Sequence, residues 1–324
     1  MEDVALAAGV SLVTVSRALN TPGKLAPATL AAVRAAIEKL RYVPNLTAGS
    51  LASNRTRIVA AIVPTIANSI FSETIDGLAG MLAGERFHLL LGQSRYRDDE
   101  EAALVDAFLG RRVDGMVLAG IRHAAGVRSK LQRAGIPVVE TWDLTPRPID
   151  MLVGFSNRDA GRAVAHYLVD KGYAPLAFIG GHDDRSAARL AGFEAGAGAR
   201  DAGPVRTALL PSPSSVLDGG RALAELLAVG APPRAVFCTN DMLAAGALFE
   251  CRRRGIAVPG RIAVIGFADL PIAAGIEPTL TSVQVRSAEM GRRAGELLLR
   301  RLSGDADAQR VVDLGFAVVE RQSA

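Results

Sequence analysis

No run of apolar residues in this chain reaches the roughly 18 positions needed to cross a bilayer as a helix. Nearly half of its 324 residues are nonetheless hydrophobic, ample for sizeable packed cores. Cysteine is almost missing. Cys238 and Cys251, in a strand-like and a helical stretch, read as buried thiols of a reducing compartment rather than a disulfide framework. Signatures of catalysis are lacking too: there is no dinucleotide fingerprint, phosphate loop, nucleophile elbow or paired-cysteine motif. The four histidines, His88, His123, His166 and His182, show no metal-ligand spacing. His182-Asp183-Asp184 reads as a polar loop more readily than as a metal cluster. An enzyme, a cofactor and a metal are therefore not expected. The chain opens Met1-Glu2-Asp3 with no basic-then-apolar leader, so a cytoplasmic location is expected and export is not. Short-period repeats, heptads and low-complexity tracts are also missing.

What is present is unevenly distributed. Residues 1–57 hold seven Lys/Arg against three Asp/Glu, which leaves thirty of each sign in the remainder. The net charge of +4 thus belongs to the first sixth of the chain. A small basic head on a neutral body suits a polyanion-binding module joined to something else.

The first 43 residues read as three short helices. Val4-Ala5-Leu6-Ala7-Ala8 is stopped by Gly9, and Ser11 caps a second helix over 12–19. Asn20-Thr21-Pro22-Gly23 breaks the pattern. A third helix over 27–41 places Leu30, Val33, Ile37 and Leu40 on one face. Residues 44–57, rich in Ala, Ser, Thr and Asn, look like a linker with Ala48, Leu51 and Ala52 on one apolar side. From residue 58 short apolar runs alternate with helical stretches. They fall at 58–63, 88–91, 113–118, 137–140 and 151–155, then at 176–179, 205–210, 235–238 and 262–267. Such alternation indicates βαβ units and parallel sheets covered on both faces. The break near Phe155 favours two doubly wound α/β lobes over one large sheet. Runs at 280–285 and 311–319, flanking a helix to about residue 302, can return the chain between the lobes. The expected domains are 1–44, 45–57 and 58–324.

Doubly wound lobes bind ligands outside the carboxyl ends of their strands. In the first lobe that singles out Asn68, Phe71, Gln93 and Asp143. In the second it singles out Asp183, Arg185, Arg189, Asn240, Asp241 and Asp269, with Phe155 as an apolar wall at the crossover. Arg185 and Arg189 lie four apart on one helical face and can grip a carboxylate in fork geometry. Solvated arginines at a helix start are the plainer alternative. Asn240-Asp241 opens a helix, where N-capping and ligand binding are both open.

The densest motif is Val4-Ala5-x-x-Ala8-Gly9-Val10-Ser11-x-x-Thr14-Val15-Ser16-Arg17-x-Leu19-Asn20, followed by Tyr42-x-Pro44-Asn45. Small residues sit where two helices cross, Gly9 makes the turn, and Val10 and Val15 fill a miniature core, leaving polar side chains outward. This pattern resembles the LacI/GalR family of bacterial regulators, and the likeness extends over the whole chain. Gly135-Ile136-Pro137-Val138-Val139-Glu140, Val153-Gly154-Phe155 and Phe237-Cys238-Thr239-Asn240-Asp241 are similar to its gluconate-repressor branch, as are Gly246-Ala247-x-Phe249-Glu250-Cys251 and Asp313-Leu314-Gly315-Phe316.

The resemblance implies an all-α helix-turn-helix head on two periplasmic-binding-protein-like lobes, and a repressor of operator DNA governed by a small sugar-acid effector such as gluconate. Residues 12–20 become the recognition helix in the major groove. Leu12 and Val13 occupy base-selecting positions but can only touch thymine methyls. Ser11, Thr14, Ser16, Arg17 and Asn20 face phosphates or base edges, Asn45 and Ala48 the backbone near the hinge, and Leu51 wedges into the minor groove. Leu51 taken alone is equally an ordinary packing leucine. Arg189 matches the family's effector-binding arginine. Ala268 stands where sugar-binding members carry aspartate, which favours an acidic ligand.

Three departures qualify the likeness. Family members carry further residues before the first helix, so the start codon is misassigned or DNA affinity is reduced. Gly49 replaces a hinge arginine, at roughly 1 kcal/mol of helix propensity. Residues 26–30 lack the usual start of the third helix. The implied assembly is a homodimer, or a tetramer built from it, reading a pseudo-palindrome, with effector binding misplacing the hinge at 45–52. The competing readings are a member answering to another metabolite and, from a different class, a solute-binding protein. The latter predicts an export signal and no DNA head.

Overall fold

The computed structural model describes residues 1–42, 55–67, 69–305 and 309–324, and the side chain of Asn20 lies outside it. The chain divides into two compact units, Met1–Thr56 and Arg57–Ala324.

In the first unit α1 (Glu2–Ala8) carries Glu2 and Asp3 in its first turn, where negative charge favours the exposed amides. Gly9 ends it at φ 64°, a left-handed conformation that costs a residue without a β-carbon nothing. The Ser11 side chain accepts from the Thr14 amide at 3.2 Å and starts α2 (Leu12–Asn20). Pro27 occupies the first turn of α3 (Pro27–Lys39), where a missing amide hydrogen matters least. Val4, Val15 and Val33, one from each helix, are fully buried with Ala5 and Ala36 beside them. The apolar face expected on the third helix holds except at its end: Val33 is buried, Ile37 packs against the core and Leu30 is half-buried. Leu40 caps α3 and is 42% exposed, while Ala36 takes the inward position, because the helix ends at Lys39 before the face completes another turn.

The second unit holds two six-stranded sheets. The first contains β1 (Ile58–Val63), β2 (His88–Gln93), β3 (Gly115–Ala119), β4 (Val138–Thr141), β5 (Met151–Gly154) and β11 (Val311–Asp313). Their order is β11-β5-β4-β3-β1-β2, parallel throughout. The second contains β6 (Leu176–Gly181), β7 (Arg206–Leu210), β8 (Ala235–Cys238), β9 (Ala263–Ala268), β10 (Thr281–Val285) and β12 (Phe316–Val319). Their order is β12-β10-β9-β8-β6-β7, and β12 alone runs antiparallel to its neighbour. Strands β4, β5, β6, β8 and β9 are buried along their whole length, which explains their largely apolar sequences; in β4 the buried Glu140 is satisfied by His123.

Helices α4 (Ser72–Gly84), α5 (Asp98–Gly110) and α6 (Val127–Ala134) connect the strands of the first lobe. Helices α7 (Asn157–Asp170), α8 (Asp184–Gly198), α9 (Val216–Ala228), α10 (Asp241–Arg253) and α11 (Pro271–Gly275) serve the second. Helix α12 (Ser287–Leu302) follows a strand of the second sheet but packs on α4 and the first sheet. The run read as a single segment at 311–319 is two strands in different sheets, parted at Gly315 with φ 63°. The chain therefore passes between the lobes three times, at 154–157, 285–287 and 313–316. Each lobe has its first five strands in the order 2-1-3-4-5, which places a topological switch point beside the first strand of each.

Candidate functional site

On the first unit, burial sorts the residues of α2. Val15 is wholly buried and ties the helix to its neighbours. Ser11, Leu12, Val13 and Arg17 are exposed, Thr14 and Ser16 half-buried. Leu12 and Val13, 43% and 58% exposed, present apolar surface that the unit itself leaves uncovered. The Ser11 and Thr14 hydroxyls bond each other at 2.9 Å, so only the one that accepts within the pair can donate outward. Asn20 closes the helix. Asn45, Ala48 and Leu51 lie outside the described residues, as does Asn68 of the second unit.

Between the lobes lies a cavity of about 530 Å³. Its wall comes from chain that leaves strand ends: Pro64 after β1, Ser94 to Asp98 after β2, Ala119 to Arg122 at the end of β3 and just beyond it, Asp143 after β4, His182 to Arg185 after β6, and Ser212 after β7. That is where two switch points brought face to face place a binding site. Arg185 carries a guanidinium over the Phe71 ring at 5.2 Å and donates to the Ala119 carbonyl at 3.2 Å. Arg122 and Asp184 meet at 3.0 Å across the rim. Tyr96 lies in the wall beside Arg185; burial raises its phenol above the ordinary value, against the opposing pull of Arg185.

Behind the wall His123 is clamped between Glu101 (2.6 Å) and Glu140 (3.1 Å). Burial disfavours the charged ring, but the two carboxylates outweigh it and raise His123 to about 9. Glu101, which also accepts from the Ala124 amide at 3.0 Å, is thereby fixed as part of the cavity wall.

Of the residues singled out in sequence, Asp143 and Arg185 line the cavity, as does Asp183, which also caps α8. Phe71 backs Arg185. Arg189 lies deeper. It donates to Asn157 Oδ1 and to the Thr239 carbonyl, both at 2.8 Å, and its guanidinium stacks 3.5 Å from the Phe267 ring. Burial pulls its pKa down, partly offset by Asp183. Five expected cleft residues are engaged elsewhere. Gln93 accepts from the Ile66 amide at 3.4 Å. Phe155 is fully buried between Trp142 and Phe267, with ring centroids 6.0 and 5.9 Å away. Asn240 caps α10 through the Leu243 amide. Asp241 is sealed under Ser282 (2.6 Å) and the Leu270 amide (2.6 Å), and burial pushes its carboxyl up to about 7. Asp269 pairs with Arg321 at 2.7 Å. A position after a strand end does not reveal which loops turn inward to the cleft. Tyr96, Glu101, Arg122 and Asn157 were missed for the same reason, being brought in by tertiary packing.

The described residues include no cluster of three or more His, Cys, Asp or Glu suited to a metal ion, and no helix long and apolar enough to cross a membrane. The pattern of the family described as bacterial regulatory proteins, lacI family, matches residues 1–45, and that of a periplasmic binding protein-like domain matches residues 165–324. An HTH-type transcriptional regulator GntR of Pseudomonas aeruginosa is 38% identical over 100% of this chain and 95% of its own length. The chain belongs to the lacI family. A crystal structure of a LacI-family transcriptional regulator from Silicibacter pomeroyi superposes with a TM-score of 0.93 at 32% identity, covering 99% of this chain and 98% of that one. The lac repressor dimer bound to operator and an anti-inducer shares the fold, with a TM-score of 0.85 at 23% identity over 99% and 97% of the two chains. As a lacI-family member the protein is a DNA-binding transcriptional regulator, not an enzyme.

Proposed function

We propose that this regulator is a cytoplasmic repressor, acting as a homodimer or a tetramer built from it, whose heads read the two halves of a pseudo-palindromic operator. A small sugar acid such as gluconate, held between the lobes, controls that binding. In this reading residues 1–44 form the head, 45–57 the hinge and 58–324 the effector-binding and dimerisation part. Ser11, Leu12, Val13, Thr14, Ser16, Arg17 and Asn20 face the major groove, with Asn45, Ala48 and Leu51 at the hinge. Arg185 and Arg189 engage the effector, with Asp143 beside it and the Phe71 ring backing Arg185.

The observation that carries the ligand class is the make-up of the cavity wall. Four arginines, Arg95, Arg97, Arg122 and Arg185, stand among the carboxylates of Asp98, Glu101, Asp143, Asp183 and Asp184 and the hydroxyls of Ser94, Tyr96 and Ser212. A guanidinium suits a carboxylate, and the acceptors suit hydroxyl groups. A polyhydroxy acid offers both. The same acceptors support a second reading, a neutral sugar, which brings no anion to Arg185. Calorimetric titration separates the two. Gluconate is expected to bind and a neutral hexose to bind at least tenfold more weakly. No heat from gluconate at millimolar concentration, or a preference for the hexose, sinks the sugar-acid reading and leaves the regulator intact.

A further inference from the structure

Arg185 and Arg189 project from the same face of α8 one turn apart, yet they are held by different parts of the molecule. Every direct partner of Arg189 belongs to the second lobe or to its junction with the first: Asn157 at the start of α7, the Thr239 carbonyl after β8, and the Phe267 ring on β9. Arg185 has one partner in its own lobe, Asp183 at 3.8 Å. Its other contacts are in the first lobe: the Ala119 carbonyl at 3.2 Å, the Phe71 ring at 5.2 Å and the Tyr96 phenol alongside. The first-lobe side of this contact is itself built under strain. Arg95 and Tyr96 are consecutive residues at φ 54° and 60°, in a turn closed by the Arg97 amide on the Ser94 carbonyl at 2.9 Å. That turn ordinarily calls for glycine or asparagine.

We propose that the two arginines divide the work of the effector site, Arg189 holding the ligand and Arg185 converting its presence into lobe closure. The inference rests on the sugar-acid reading above for the identity of the ligand. Its logic is that of linkage: a ligand shifts a conformational equilibrium only through contacts that differ between the two states. A carboxylate on Arg189 meets a guanidinium whose hydrogen bonds and ring contact all lie in the second lobe or at its junction with the first. A carboxylate on Arg185 meets one that is aimed only when the first lobe supplies its carbonyl, ring and phenol. The rim pair Arg122–Asp184, with side chains 77% and 57% exposed, is too solvated to substitute for that contact.

The test measures operator affinity with and without saturating gluconate for the full chain and for Arg185→Gln and Arg189→Lys. Wild type should show a ratio in the range of about 5- to 150-fold. Arg189→Lys should need more gluconate to saturate and then show the wild-type ratio. Arg185→Gln should show a ratio within about twofold of unity even at saturation. A wild-type ratio in Arg185→Gln, or equal loss in both variants, overturns the proposal. A wild type unresponsive to gluconate sinks the ligand reading alone. A second measurement then decides: spin labels on Gln132→Cys and Glu225→Cys, one per lobe, report interlobe distance with no ligand added. Arg185→Gln should lengthen or broaden that distribution, and an unchanged distribution overturns the closure role.

Discussion

Asn240 opens α10 with its side-chain oxygen 2.9 Å from the Leu243 amide, a cap rather than a cavity contact. Asn240→Ala should therefore lower stability by about 1 kcal/mol and leave gluconate affinity unchanged, as read by chemical denaturation and calorimetry. His123 makes a pH-dependent contribution. Its folded value of about 9 lies above the ordinary 6.5, so the stability it supplies is complete below pH 6.5 and is lost as pH rises through 9. The side chain is 5% exposed, and the effect is on the order of 3 kcal/mol. In His123→Gln, stability should fall short of wild type at neutral pH, and the gap should narrow between about pH 7 and 9.5. A gap of constant size across that range counts against a charged His123. The cap was one of the two roles left open for Asn240 in the sequence, whereas the role of His123 was not legible. His123 looked like one of four scattered histidines, because its carboxylate partners lie 22 and 17 residues away.

At the scale of elements, the alternation of apolar runs and helices carried most of the architecture, since a strand buried on both faces favours a near-continuous apolar sequence. What it could not carry was long-range assignment. Val311–Asp313 and Phe316–Val319 look like one strand because only Gly315 marks the turn between them, and nothing local says which sheet each joins. The Arg95–Tyr96 turn was equally hidden, lacking the glycine or asparagine by which such turns are read. The crossing of α7 and α8 offers a test of how an element positions a site. A β-carbon at Gly161 would fall 2.0 Å from the Arg189 carbonyl oxygen, so only glycine permits the approach. Gly161→Ala should force the helices apart, cost about 1–3 kcal/mol or more, and weaken gluconate binding by displacing Arg189. Undisturbed affinity in a folded Gly161→Ala protein argues against Arg189 as a ligand contact.

For the whole molecule, two compact units imply two separable responses. A ligand bound between the lobes stabilises the unit that contains them, by about 2.7 kcal/mol at a hundred times its dissociation constant. Heating should then show the transition of residues 57–324 moving up with gluconate while that of the head stays in place. Operator binding should respond to the opposite unit. Arg17→Ala should weaken it and reduce the salt dependence by about one counterion. An unchanged slope removes Arg17 from the phosphate contacts.

The three passages between the lobes carry a consequence for inheritance. The head occupies one continuous stretch of chain and can be exchanged for another by a single join, so operator preference can be reassigned in one recombination event. The lobes are interleaved: β11 completes the first sheet after the second is nearly finished, and β12 completes the second after that. No single cut separates them, and a transplanted half arrives without its edge strand. New DNA targets can thus be acquired by shuffling whole segments, whereas new effectors must be reached residue by residue within a pair of lobes inherited together.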